Sequence, residues 1–140
     1  MPGLPTWNER RNGAMMLEHL INIFKLKEDG FYYKSGRFKG NKAGSLVRGS
    51  QIVRVKNKDY LVKELVYYYH HGYFSDYQLF NADGDPRNNG ILNLLEEGET
   101  YVRLNNGIRY DPATKQFMVR KYEENSLRHY YEVIDDYDFM

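Results

Sequence analysis

Closely spaced turn signals divide most of this chain into short segments. Asp29-Gly30, Arg48-Gly49-Ser50, Lys56-Asn57-Lys58 and the five-residue stretch from Asp111 to Lys115 carry the Gly, Asn, Asp or Pro residues that tight turns favour. The segments between these turns are rich in β-branched and aromatic residues, which suit a half-buried pleated surface. The pattern therefore predicts short antiparallel strands, with the last of these turns closing a C-terminal β-hairpin.

Two apolar stretches interrupt the strand pattern and predict helices. Residues 15–24 (MMLEHLINIF) repeat apolar side chains at helical spacing, and residues 64–73 (ELVYYYHHGY) are apolar enough to pack on a sheet, with Gly72 as a C-terminal stop. A third helix is predicted from Asn88 to Glu97, where an asparagine cap precedes apolar residues. Residues 127–134 (LRHYYEVI) suit a strand or a short helix. Together these elements predict a small α+β fold.

Length and composition exclude several classes of protein. A chain of 140 residues suits one compact domain, or a small domain with an appendage. The absence of cysteine excludes a disulfide framework and any cysteine-based zinc site. No apolar run approaches the roughly 20 residues of a membrane span. The N-terminal MPGLPTWNERRNG lacks the apolar core of a signal peptide, which predicts a flexible leader over residues 1–14 and a cytoplasmic protein.

Charge is unevenly distributed along the chain, although the formal net charge is only +1. Residues 1–63 contain 13 Lys and Arg against 5 Asp and Glu, residues 64–100 contain 1 against 7, and residues 101–140 contain 6 against 7. A basic N-terminal half suits a polyanion such as nucleic acid, because neutralising phosphates supplies most non-specific affinity.

Basic side chains that alternate with glycines and aromatic residues in loops and at strand ends are the predicted phosphate contacts. Loop cations can approach a phosphate backbone, and glycines allow the chain to come close to it. The candidates are Lys34, Arg37, Lys39, Lys42, Arg48, Arg54, Lys56 and Lys58 in the N-terminal half, and Arg103, Arg109, Lys115, Arg120 and Lys121 near the C-terminal hairpin.

The order of elements resembles that of phage-type HNH endonucleases, which include free-standing homing enzymes. The segments IFKLKEDGFYYK, QIVRVKNKDYLVKELVYYYHHG and YQLFNADGDPRNNGILNL carry the resemblance, with Asp83-Gly84, Asn88-Asn89 and Asn93-Leu94 at the spacing of the family. The resemblance implies a ββα-metal-type frame over residues 15–98. GIRYDPATKQFMVRKY is similar to an AP2-like DNA-binding module, which assigns residues 99–140 to such a module with an acidic tail.

The chain departs from this family where the family performs catalysis. Phe80 and Asn81 stand where the resemblance implies a metal-binding aspartate and a general-base histidine, and Asn93, a further metal ligand of the family, is retained. An amide accepts no proton near neutral pH, so the chain lacks the base that the hydrolysis requires. Further departures are Lys63 and Glu64 for a histidine and an arginine, and Gly90 for an arginine. We therefore expect no catalytic residue, no bound metal and no cofactor.

Other candidate sites are weaker. A calcium loop beginning at Asn81 would require glycine at its sixth position and glutamate at its twelfth, and these are Pro86 and Leu92. Asp83 and Asp85 are either substitute metal ligands or turn residues, and their Asp-Gly and Asp-Pro contexts favour turns. Adjacent helical residues point about 100° apart, so His70 and His71 cannot chelate one ion together. The remaining candidates are His19 and His129, which lack a partner motif, and Tyr67, Tyr68 and Tyr69, which favour the core and helix surface over base stacking.

Three functions follow from these observations. The first is an inactive HNH-like phage protein that binds DNA through its basic half and C-terminal hairpin. The second is a phage protein that restrains a host protein through its acidic segments, from Glu96 to Asp138. The third is an active endonuclease with a rearranged metal site that uses Asp83, Asp85, Asn93 or His70. The sequence leaves the oligomeric state open.

Overall fold

A computed structural model describes residues 16–135, 137 and 139. Its two helices are α1, which includes residues 16–23, and α2 (Val62–His71). The strands are β1 (Phe24–Lys27), β2 (Gly30–Tyr33), β3 (Ser45–Val47), β4 (Ser50–Val55), β5 (Lys58–Leu61), β6 (Leu79–Asn81), β7 (Leu94–Glu96), β8 (Val102–Arg103), β9 (Ile108–Asp111), β10 (Gln116–Glu123) and β11 (Arg128–Ile134). The fold is α+β, as the sequence predicts. The predicted leader lies outside the described residues.

The strands form four small antiparallel sheets. Strands β1 and β2 form one hairpin, β3, β4 and β5 form a three-stranded meander, and β6 and β7 form a second hairpin. The fourth sheet has the order β11-β10-β9-β8. Its β9 and β10 form the predicted C-terminal hairpin, with Asp111 to Lys115 as the turn.

Helix α2 is the centre of the core. It packs against β2, β4 and β5, and its buried residues include Leu65 and Val66. Gly72 ends the helix in a left-handed conformation (φ 83°) and donates its N–H to the carbonyl of Tyr68. The helix on the sheet and its glycine stop are both confirmed. Among the described residues, no helix is long and apolar enough to cross a membrane.

The third predicted helix is wrong. Only Ile91–Asn93 forms a short 3-10 turn, and the chain then continues as β7, which pairs with β6. The residue before the turn, Gly90, is extended and provides no side-chain cap. Pairing with β6 places Leu94 in the core as a strand residue, so tertiary contacts override the local helical pattern.

Three smaller differences concern element ends. The first predicted helix extends to Phe24, whereas that residue begins β1, a strand that the sequence does not indicate. Residues 127–134, whose sequence suits either a strand or a short helix, form strand β11. The charged C-terminal segment IDDYDFM is the kind of sequence that predicts fraying, but the ring centroids of Tyr137 and Phe139 lie 4.8 and 6.0 Å from that of Phe117. Residues 136, 138 and 140 lie outside the described part of the chain.

Candidate nucleic-acid interface

The loop between β6 and β7 is held by its own amide side chains. Asn81 Nδ2 donates to the carbonyl of Asn88 and to Oδ1 of Asn89, both at 2.8 Å. Asn93 Nδ2 donates to the same Asn88 carbonyl and to Oδ1 of Asp83, also at 2.8 Å. Both asparagines at the family's site positions thus serve as donors that close the loop.

The two aspartates of this loop are also occupied. Asp83 accepts from the Asp85 N–H and from Asn93 through Oδ1, and from Asn88 through Oδ2. These bonds, from Asn88 first and then from Asp85 and Asn93, lower the pKa of Asp83. Asp85 accepts from the Arg87 N–H in a second turn. Both aspartates hold the loop as the turn interpretation predicts. The described residues contain no group of three or more His, Asp or Glu side chains able to hold a metal.

Gly90 explains one departure from the family pattern. A Cβ atom on this buried glycine would lie 1.7 Å from the carbonyl oxygen of Glu28, in the β1–β2 turn. The neighbouring Asn89 donates its N–H to the carbonyl of Asp29 at 3.0 Å, and Lys42 Nζ bridges Asp29 and the Arg87 carbonyl. No side chain fits at position 90, because the loop docks directly on backbone.

The other positions named by the HNH resemblance lie on two different elements. Phe80 is 44% exposed on β6, whereas Lys63 and Glu64 lie in the first turn of α2. Burial raises the pKa of Glu64. The element that follows β7 is strand β8, so no helix completes a strand-strand-helix frame at this point.

The four histidines do not form a metal site. The rings of His70 and His71 are nearly perpendicular, and Nε2 of each is buried without a hydrogen-bond partner among the described residues. Burial, with smaller contributions from His70 and Arg103, lowers the pKa of His71 to about 4. The imidazole of His71 is therefore neutral at physiological pH. His129 lies against the Tyr122 ring, and His19 lies on α1.

Most of the predicted phosphate contacts in the N-terminal half are engaged within the protein. Lys34 Nζ donates to the carbonyl of Ile21, Lys42 pairs with Asp29, and Arg54 pairs with Asp59. Arg37 lies over the ring of Phe38, and Lys58 lies over that of Tyr60. The other three, Lys39, Arg48 and Lys56, are exposed, and their side chains make no hydrogen bond or ion pair among the described residues. They lie in three separate turns.

The C-terminal sheet, by contrast, collects cations on one face. Residues directly opposite in an antiparallel pair share a face, and side chains alternate between faces along a strand. Arg103 on β8 is directly opposite Arg109 on β9, so the two share a face. Arg109 is also opposite Met118 on β10, and Arg120, two residues further along β10, lies on the same face. Arg120 is in turn opposite Tyr131 on β11. We call Tyr101, Arg103, Arg109, Arg120 and Tyr131 the arginine–tyrosine face.

Arg109 is the best-positioned cation of this face. Its guanidinium carbon lies 4.1 Å from the ring centroid of Tyr101 and 3.4 Å from that of Tyr131. These rings hold the guanidinium by cation–π contact, which uses none of its N–H donors. Its Nε is buried and has no hydrogen-bond partner among the described residues. The terminal nitrogens of Arg109 also donate no hydrogen bond within the described residues, so they keep this capacity for a ligand.

Arg103 anchors the face to the rest of the protein. Its guanidinium contacts Tyr67 Oη, pairs with Glu96 at 3.1 Å and donates to Tyr73 Oη at 2.9 Å. The Tyr67 hydroxyl donates to the same Glu96 carboxylate at 2.8 Å. Burial lowers the pKa of Arg103, but the hydrogen bonds to Tyr73 and Glu96 outweigh this effect, so the pKa is raised above its usual value. Burial and the Glu96 carboxylate raise the pKa of Tyr67.

The arginine–tyrosine face forms one wall of a recess of about 490 Å³. Its other walls come from the end of α2, the segment before β8 and the β8–β9 turn, which contribute His71, Tyr73, Glu99, Asn105 and Asn106. One carboxylate of the recess, that of Glu96, is already paired with Arg103. The walls therefore carry two unpaired positive charges, on Arg109 and Arg120, and one unpaired negative charge, on Glu99.

The structure separates residues that the sequence groups together. Lys121 follows Arg120 on β10 but lies on the opposite face, where it pairs with Glu132 at 2.7 Å. Lys115 is exposed in the β9–β10 turn. Sequence reasoning does not identify Tyr101 and Tyr131. Tyr101 is two residues from Arg103 and so shares its face, whereas Tyr131 is placed opposite Arg120 only by the strand register.

Comparison with models of known protein families, with curated proteins and with solved structures finds no match to this chain. The resemblance to HNH endonucleases thus stays a prediction.

Proposed function

We propose that this chain is a catalytically inactive, HNH-endonuclease-like phage protein that binds nucleic acid through its arginine–tyrosine face. One observation carries the binding proposal. Arg109 is fixed between two tyrosine rings, and its side chain makes no hydrogen bond or ion pair within the described residues.

Glu96 already pairs with Arg103, so the cations of this face that are left for an anionic ligand are Arg109 and Arg120. Guanidinium groups are suited to phosphate, because their planar N–H fork matches two phosphate oxygens. Aromatic side chains beside the cations add stacking surface for bases, a combination typical of nucleic-acid interfaces.

The β6–β7 loop supports the absence of catalysis in this proposal. Asn81 and Asn93 donate hydrogen bonds within the loop, and the two carboxylate oxygens of Asp83 accept from Asn93 and Asn88. Metal binding would have to break these bonds, and Phe80 supplies no ligand atom. The loop instead docks the β1–β2 turn on the core, which is a structural role.

Fluorescence anisotropy with labelled single-stranded and duplex DNA at several salt concentrations tests the proposal. We expect binding that weakens with salt, with a logarithmic slope of about −0.9 per phosphate neutralised on duplex and about −0.7 on single strands. Arg109→Gln and Arg120→Gln should each weaken binding about tenfold, since a hydrogen bond to a charged group contributes about 1.5–3 kcal/mol.

Lys121→Gln is the matched control. It removes the same charge from the residue next to Arg120, but on the opposite face. Equal losses for Arg120→Gln and Lys121→Gln would show that only overall charge matters. Absence of binding to any DNA at about 50 mM salt would refute the proposal and direct the search to a host protein, by pull-down from lysate.

A further inference from the structure

The recess beside the arginine–tyrosine face is larger than a phosphate contact requires. Its volume of about 490 Å³ falls within the range of small-molecule sites, about 300–1,000 Å³. A duplex keeps its bases stacked inside and offers a protein wall mainly its phosphates and groove edges. A single strand, in contrast, can place an unstacked base into such a recess.

The groups that line the recess suit a whole nucleotide. Arg109 and Arg120 supply cationic donors, and Tyr131 is 40% exposed despite its contact with Arg109. Tyr73 is 46% exposed and contributes a second aromatic surface. The amides of Asn105 and Asn106 and the Glu99 carboxylate offer both donors and acceptors, as the hydrogen-bonding edge of a base requires.

The strand register gives the recess a direction. The backbone N–H of Arg120 donates to the carbonyl of Gly107, so Arg120 lies at the end of the sheet that holds the β8–β9 turn. Glu99 precedes β8 and therefore lies toward the other end of that strand. A phosphate is attracted toward Arg120, with Arg109 on the same face, and is repelled by Glu99.

We infer that the recess binds one unstacked nucleotide of a single-stranded nucleic acid, with its phosphate on Arg109 and Arg120 and its base against the tyrosines. The inference rests on the proposed function, because it specifies which form of nucleic acid the same face selects. The protein then prefers single strands to duplexes of the same sequence.

The first experiment uses the full chain and small probes. Isothermal titration compares deoxyadenosine monophosphate, deoxyadenosine and inorganic phosphate. We expect the nucleotide to bind at least about tenfold more tightly than either fragment, since stacking and phosphate contact act together. Equal affinity for inorganic phosphate and the nucleotide would reduce the site to a phosphate contact and overturn the inference.

The second experiment separates the base from the phosphate by mutation. Tyr131→Leu keeps an apolar side chain but removes the aromatic ring, and we expect it to weaken binding of a labelled 12-nucleotide single strand about tenfold. Binding of the corresponding duplex should fall less, because the duplex loses only the ring that holds Arg109, whereas the single strand also loses a stacking surface for its base. Tyr130→Leu is the matched control, because Tyr130 is the adjacent residue on β11, 38% exposed, on the opposite face. Circular dichroism and thermal unfolding verify that both variants fold.

The outcomes distinguish the inference from the proposed function. Equal affinity for single strand and duplex, both weakened by Arg109→Gln, would overturn the nucleotide recess and leave nucleic-acid binding intact. Equal losses for Tyr130→Leu and Tyr131→Leu would also overturn the recess. Absence of binding to every nucleic acid would refute both.

Discussion

Asn89 offers the sharpest test of the idea that the β6–β7 loop has a structural role. It is 1% exposed, and its Nδ2 donates to Gln51 Oε1 at 2.8 Å and to the Pro86 carbonyl at 2.9 Å, while its Oδ1 accepts from Asn81. Asn89→Ala leaves Gln51, which is 7% exposed, without this donor. An unsatisfied buried group costs about 1–3 kcal/mol, and the lost bond to Asn81 about 0.5–1.5 kcal/mol, so we expect a destabilisation of about 3 kcal/mol.

Urea unfolding followed by circular dichroism measures this change. With a slope of about 2 kcal/mol per molar urea, the midpoint should fall by about 1.5 M. Asn41→Ala is the control, since this exposed residue makes no side-chain hydrogen bond among the described residues. The double variant Gln51→Ala with Asn89→Ala should cost less than the sum of the single changes, because it removes both partners. A midpoint for Asn89→Ala equal to that of the control, or strict additivity in the double variant, would refute the reasoning.

Three further predictions concern the same core and loop. Gly90→Ala should lower the free energy of unfolding by more than about 2 kcal/mol, because its Cβ would meet backbone at 1.7 Å. A urea midpoint within about 0.3 M (about 0.6 kcal/mol) of that of the unmodified protein would contradict the docking. Purified protein with Mg²⁺ or Mn²⁺ should leave supercoiled plasmid intact on a gel, because Phe80 supplies no metal ligand and Asn81 supplies no base. Metal-dependent nicking that is lost in Asn93→Ala would reveal a rearranged active site. Burial lowers the pKa of His71 from 6.5 to about 4, so its contribution to stability is present above pH 6.5 and lost as the pH falls toward 4. His71→Phe should therefore flatten the fall in urea midpoint over this pH range. An unchanged fall would exclude His71 as its source.

Local chemistry was sufficient to predict the elements whose ends are set by turns. Gly72 can adopt a left-handed conformation at no steric cost, so the end of α2 follows from the residue itself. The Asp111 to Lys115 turn behaves similarly, since Asp111 accepts from Ala113 and Thr114 within a few residues. Such bonds depend little on the rest of the chain, and for this reason the C-terminal hairpin was predictable.

The segment from Asn88 to Glu97 shows where local chemistry was insufficient. Its asparagine cap and apolar spacing favour a helix, yet β6 offers Leu94 a strand partner and a buried position. Nothing near residue 94 in the sequence indicates this partner. The same holds for Gly90, whose missing side chain is explained by a carbonyl more than 60 residues earlier in the chain.

The sequence by itself determined the α+β class, the turns and the lack of a base at Asn81, because residue type and spacing decide these. Only the tertiary structure decided which cations act together. Arg109 and Arg120 share a face, whereas Lys121 lies on the other, and Tyr131 reaches Arg109 across the sheet. Strand register alone brings these side chains together, and register depends on pairing between distant segments.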